Sequence, residues 1–334
     1  MLDVICLGIL VVDVVGLTID TFPGRGKLQL CDTMYPSIGG CAANTGIVLQ
    51  KLGVRTGVIG KVGRDGFGDF VRVTLDHHGV DAHGVHSDEE KLTSATMVLI
   101  ASDAERSFIH CQGANSTMRL EDIDWDLLRD AKILHIAGHF LMPGFDGEIC
   151  AEVLRRAKEL GLATSLDTAG AANRDWQEIL RPALPHLDYF LPSYSEARFC
   201  TPLYGTEDDT PHNVARWFQE QGVGVVALKM GESGSYVLDK DGEDEWTLPA
   251  YSVDAVDATG AGDAFAAGFL AGVVKGYDLQ MCARLGNASG AACVSALGTI
   301  DGVSSLEDTL KLMDLQPADL KSTPEFGECR LKQR

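Results

Sequence analysis

The stretch DATGAGDAFAAGF, residues 257–269, places glycines just ahead of an aspartate and then runs on as an apolar segment of helical composition. A helix starting near Ala261 leaves its first N–H groups without intrahelical partners, and its dipole makes that end partly positive. With no side chains at Gly260 and Gly262, the turn can bring several N–H groups against an anion such as a phosphoryl group. Asp263 then stands in the first turn beside whatever the glycines hold. There it can take the proton from an attacking hydroxyl while the N–H groups of Gly260, Ala261 and Gly262 stabilise charge on a transferring phosphoryl group. The same residues also suit a plain strand-to-helix connection in which Asp263 complements the helix dipole. A dinucleotide-binding Gly-x-Gly-x-x-Gly is the weaker match, because Phe265 stands where close packing needs Gly or Ala, and because the stretch lies late in the chain. A P-loop is excluded: PGRGKL, residues 23–28, lacks the earlier Gly and the Ser/Thr after Lys27.

Such a turn must be carried by a scaffold, and the rest of the chain reads as one. VICLGILVV, RTGVIGKVG, KILHIAG, LATSLD, DYFLP and VGVVALKMG read as strands, many apolar on both faces as in a covered parallel sheet. Between them AANTGIVLQKLG, GEICAEVLRRAKELG and HNVARWFQEQG each end in glycine, the expected helix stop. This alternation predicts one doubly wound α/β domain over the whole chain, 1–334. Residues 13–37 and 93–111 break the rhythm and read as exposed strands forming a small separate sheet, and the tail 316–334 is polar with Pro317 and Pro324.

Composition narrows the partners. A net charge of −20 and a pI near 4.7 argue against nucleic acid or an anionic membrane surface, since either polyanion would be repelled. The apolar opening lacks a basic start and carries Asp3 and Asp13, so it reads as a buried strand rather than a signal peptide, and the protein as cytoplasmic. Nine scattered cysteines without a Cys-x-x-Cys pair fit reduced thiols. His77, His78, His83 and His86 match no standard zinc spacing and read as a solvated surface.

A second motif joins the first. In SIGGCAANTGIVLQKLGVRTGVIGKVGRDGFG, residues 37–68, Gly39 and Gly40 precede a helix with Asn44 on its first turn. Together with DATGAGDAFAAGF it resembles the two signature regions of the ribokinase-like, or PfkB, family of carbohydrate kinases, and the resemblance covers residues 4–312. It implies a three-layer α/β/α fold with a mainly parallel sheet and a small β lid, whose strands would come from about 13–37 and 93–111. It also implies ATP-dependent phosphorylation of a small carbohydrate with Mg2+, Asp263 being the base and Gly260, Ala261 and Gly262 the anion hole.

Asp13, Gly39, Gly40 and Asn44 occupy the positions that bind sugar hydroxyls in the family, and Arg106, Ala114 and Asn115 fall where members contact their acceptor. On the nucleotide side the family carries Asn-x-x-Glu; here Ser193 replaces the Asn, while Glu196 fits as a magnesium group acting through water. KMGESG, with Lys229, Gly231 and Gly234, is similar to the nucleotide-binding turn, although Lys229 stands where threonine is common. Asn287 resembles the residue lining the adenine pocket, and Asp257 and Thr259 the backbone-carbonyl ligands of a potassium ion in some members. The sugar-binding glutamate of ribokinase itself has no counterpart in ILHIAGHFLMPG, where His139 lies nearby. A nucleoside kinase of the same fold and a non-catalytic sugar-binding protein are the alternative readings. Exposed lid strands would allow a homodimer through the lid.

Overall fold

A computed structural model describes residues 1–103, 105–170 and 175–314; the polar tail 316–334 and Cys329 lie outside them. The strands are β1 (Val4–Gly8), β2 (Val11–Leu17), β3 (Thr33–Gly39), β4 (Thr56–Gly63), β5 (Asp81–Asp88), β6 (Ala95–Ile100), β7 (Arg106–Cys111), β8 (Ile133–His139), β9 (Ala163–Thr168), β10 (Tyr189–Phe190), β11 (Val225–Lys229), β12 (Ser235–Leu238) and β13 (Glu245–Leu248). The helices are α1 (Cys41–Lys51), α2 (Gly66–His77), α3 (Trp125–Arg129), α4 (Glu148–Glu159), α5 (Trp176–Leu180), α6 (Tyr194–Phe199), α7 (Pro211–Glu220), α8 (Ala261–Lys275), α9 (Leu279–Val294) and α10 (Leu306–Leu312).

Nine strands form the main sheet in the order β13-β12-β11-β10-β9-β8-β1-β4-β5. It is parallel from β11 to β5, with β12 and β13 added antiparallel at one edge. Strand alternation makes two cores. Val4 and Cys6 of β1 pack with α1, α8 and α9 on one face, whereas Ile5 and Leu7 pack with α4 and α7 on the other. A helix covering each face explains why the strand sequences carry no polar alternation.

The first apolar run, read as one strand, divides in two. β1 stays in the main sheet, and after Ile9 and Leu10 the chain enters β2 of a second, four-stranded sheet ordered β3-β2-β6-β7. Hydrophobicity is the same on both sides of the change, so pattern alone carries no mark of it. Within the second sheet β2 runs antiparallel to β3 and parallel to β6, and β6 antiparallel to β7.

On β4, the ammonium of Lys61 is buried between Asp122, at 3.0 Å, and Asp88, at 3.3 Å. Lys61→Met is expected to cost about 3–5 kcal/mol, because it leaves these carboxylates buried without their cation. Urea unfolding measures it, and a loss under ~1 kcal/mol would show that water reaches the pair.

The eight described cysteines are unpaired. His77 ends α2 and His83 and His86 lie in β5; among the described residues no three His, Cys, Asp or Glu side chains come together as a metal site. No helix of the described residues is long and apolar enough to cross a membrane.

Candidate active site

α8 begins at the glycine turn foreseen for it. Gly260 is its N-cap with φ +81°, and a Cβ there would lie 2.4 Å from the Thr299 carbonyl oxygen, so only glycine lets the turn close against the 299 backbone. Asp263, one turn in, is buried, and its Oδ2 accepts a hydrogen bond from Asn44 Nδ2 at 2.8 Å. Asn44 is fixed from behind, since Thr299 Oγ1 donates to its Oδ1 at 3.0 Å. Cys41, at the start of α1, lines the same cleft as Asp263. Burial pushes the Asp263 carboxyl above the ordinary carboxylate range, against the opposing pull of Asn44, Lys229 and Cys41. A base raised in this way is better matched to accepting a proton near neutral pH.

A cleft of about 840 Å3 opens in front of the turn, and Gly260, Gly262, Asp263, Glu196 and Lys229 are among its walls. Lys229, the last residue of β11, points its ammonium to both oxygens of Asp167 on β9, at 2.7 and 2.6 Å. The same nitrogen would lie 3.2 Å from a Cβ on Gly262, so it stands at the edge of the anion turn. Burial lowers the Lys229 pKa, but Asp167, Glu196 and Asp263 raise it further, and it stays protonated. Burial drives Asp167 up to about 7 in spite of Lys229. Glu196 accepts from Thr168 Oγ1 at 3.0 Å and from Gly170 N at 2.9 Å, and Ser193 Oγ donates to it at 2.6 Å. Ser193 is the N-cap of α6, a task its hydroxyl performs as well as an asparagine side chain would. Glu196, with the Ser193 hydroxyl beside it, offers oxygen donors, which suits a hard cation such as Mg2+ held through water, whereas both Asp167 oxygens are taken by Lys229.

The second sheet brings Asp13 to the start of α1. A Cβ on Gly39 would fall 2.4 Å from Asp13 Oδ2, so glycine there is what leaves the carboxylate its place. Gly39→Ala is expected to weaken acceptor binding roughly tenfold or more, the worth of one hydrogen bond to a charged group; calorimetric titration with the accepted sugar measures it, and unchanged affinity would remove Asp13 from the acceptor site.

Other residues singled out from sequence are engaged elsewhere. Arg106, at the head of β7, pairs with Asp257 and donates to Thr259 Oγ1 at 2.6 Å, so its charge is already matched rather than offered to an acidic substrate. Asn115 is buried with both ends of its amide on Leu10, at 3.1 Å and 2.9 Å, and Ala114 is buried with its N–H on Leu92 O. These two residues fasten the crossing from β1 to β2; they do not present groups to a ligand. Asn287 donates to the Leu248 and Pro249 carbonyls and is absent from the cleft wall, as is Gly234, whereas Gly231 lines it. Asp167, Cys41 and Thr299 were not singled out from sequence. LATSLD was read as a strand ending at Asp167, and a carboxylate ending a parallel strand at its C-terminal edge was the available signal.

Residues 1–306 match the model of the pfkB family carbohydrate kinases. The chain belongs to the PfkB family. An ATP-dependent ribose-1-phosphate kinase of Halopiger xanaduensis is 31% identical over 278 residues, covering 83% of this chain and 87% of that one. The structure of Arabidopsis thaliana ribokinase with ribose and ATP superposes with a TM-score of 0.81 at 26% identity, covering 94% of this chain and 99% of that one. A putative ribokinase II from E. coli, in complex with ATP and Mg2+, gives 0.78 at 25% identity, covering 94% and 99%. This PfkB protein is therefore a sugar kinase, a phosphotransferase with a hydroxyl acceptor, of ribokinase-like three-layer fold. ATP and Mg2+ are typical of the ribokinase family.

Proposed function

We propose that this kinase transfers the γ-phosphoryl group of ATP to a hydroxyl of a small carbohydrate, with Asp263 as the general base. The observation that carries the reading is the single locus at the start of α8, where a buried carboxylate, the glycine turn that begins the helix and a fixed ammonium converge on one cleft. Asp263 takes the acceptor proton on the oxygen not held by Asn44. The N–H groups of Gly260, Ala261 and Gly262 stabilise charge on the transferring group, and Lys229 adds a cation beside them. Mg2+, when bound, neutralises phosphate charge; Glu196 would hold it through water, with Ser193 keeping Glu196 in place.

Asp13, Gly39, Gly40 and Asn44 support the acceptor, and the four-stranded sheet acts as the lid that excludes water. The outer face of that lid exposes Met34, Met97 and Ile109, which supports a homodimer through the lid. A potassium ion, if used, would sit on the carbonyls of Asp257 and Thr259. The test of the reading is ADP release from Mg-ATP across pentoses, hexoses, keto-deoxy sugar acids and nucleosides, with Asp263→Asn as control. Release that depends on one sugar and collapses in the variant is expected; sugar binding without release from any compound would favour a non-catalytic protein.

A further inference from the structure

β7 is the outer strand of the lid and pairs only with β6. Five of its six residues are exposed, and Arg106, its first, is the exception. Arg106 reaches out of the lid to the segment that leads into α8. Its Nη1 pairs with Asp257, 151 positions on, and donates to Thr259 Oγ1 at 2.6 Å. The two charged side chains are only 18% and 5% exposed, so salt screens their attraction little. Among the described residues, no other side chain of β7 makes a hydrogen bond or ion pair outside the lid. Asp257 in turn ties down two parts of the site. Its Oδ1 accepts from Thr259 N at 2.8 Å, in the residue before the N-cap Gly260, and its Oδ2 from Gly298 N at 3.0 Å, in the residue before Thr299. Thr299 sets its carbonyl where a Cβ on Gly260 would stand, and its hydroxyl fixes Asn44, which holds Asp263.

We infer that Arg106 is a positioning residue for phosphoryl transfer: by docking the outer lid strand on Asp257 it sets the turn at Gly260 and neutralises the carboxylate beside that turn. The inference rests on the kinase reading and extends it to a residue that acts through Asp257 instead of touching a substrate. One carboxylate stands under both the anion turn and the hydrogen bond that orients the base, and its charge has the sign of the phosphoryl group the turn would receive. Left unmatched in a site withdrawn from water, that charge would oppose the incoming anion. A guanidinium is always protonated, so it cancels the charge at every working pH, and it is less hydrated than an ammonium, which suits it to a buried pair. Because the cation is carried by the lid, the turn is fully competent only with the lid in place, when water is also excluded.

The test uses the full chain. Arg106→Ala is expected to lower kcat roughly tenfold or more, the worth of a hydrogen bond between charged groups, while calorimetric affinity for the accepted sugar stays unchanged. Added methylguanidinium should return part of the lost turnover to Arg106→Ala and leave the native chain as it is. Arg106→Lys, which keeps the charge, should fall between the two, and it carries the comparison if the alanine variant does not fold. With Asp257→Asn already in place, Arg106→Ala should cost less than it does alone, because the charge it matches is gone. Hydrogen exchange over residues 257–262 reads the turn without turnover: it should quicken in Arg106→Ala and slow again with methylguanidinium, while exchange in α4 stays native. The inference is overturned if kcat survives the loss of Arg106, if the loss appears as weaker sugar binding at unchanged kcat, if neither methylguanidinium nor Arg106→Lys recovers any turnover, or if exchange over 257–262 is unaltered. A native chain that releases no ADP with any acceptor would remove the kinase reading instead, and exchange over 257–262 would then decide on Arg106 by itself.

Discussion

Asp263→Asn is expected to lower kcat by at least ~10²-fold, the lower range for a positioned proton acceptor, while leaving the KM for ATP nearly unchanged. The substitution preserves shape, and the asparagine oxygen can still accept from Asn44 Nδ2, which lies 2.8 Å from Oδ2 in the native site. What it removes is the ability to hold the acceptor proton. Steady-state kinetics with the accepted sugar and Mg-ATP measures the loss, and a pH series adds a second readout. Burial raises the Asp263 carboxyl, so native kcat/KM should fall with acid from a pH above the ordinary carboxylate range. That limb should be missing from the residual activity of the variant. Full activity in Asp263→Asn would return this residue to the role of a helix-start group.

Lys229→Met has the second large expected effect, and it falls on both activity and stability. Loss of a preorganised charge at the transferring group typically costs ~10²–10³ in kcat. Stability suffers because Asp167, whose oxygens lie 2.7 and 2.6 Å from the ammonium, is left buried without its cation. Breaking such a pair costs about 3 kcal/mol or more when the remaining group stays charged. Asp167 already stands near 7 with Lys229 present, and removing the ammonium lifts it further. In mild acid the variant's carboxyl, no longer held by the ammonium, takes up a proton and the deficit is smaller. Above neutral pH the variant must either bury the charge or hold a proton, and the deficit grows. Denaturant unfolding at pH 5 and pH 8 separates the cases. Adding Asp167→Asn to the variant should restore stability without restoring turnover. A double variant that recovered both would show that Lys229 serves the fold alone.

These expectations depend unequally on sequence and on tertiary structure. The glycine-aspartate turn is a local object: Gly260 needs its positive φ, and α8 starts where its apolar run starts, so both were legible in thirteen consecutive residues. The alternation of apolar strands with glycine-stopped helices likewise determined the α/β class, because the period of a segment follows from its own backbone geometry. Local pattern ran out where the partner of a side chain is chosen by packing between distant elements. Asn44 meets Asp263 across 219 positions, and Lys229 meets Asp167 across 62. Nothing beside Asp167 in LATSLD marks it as the counter-ion of the site. Asn115 was placed at the acceptor from its neighbours in sequence, yet the crossing between the two sheets left the Leu10 backbone groups without ladder partners, and the buried amide satisfies them. Arg106 reads as a free cation in the chain and becomes a matched one only when β7 folds over Asp257. The sequence by itself determined which chemistry the turn can perform and what scaffold carries it. Only the tertiary structure decided which charges remain uncompensated at the site, because burial and pairing, which set a group's charge and availability, are properties of the assembled neighbourhood and not of the residue.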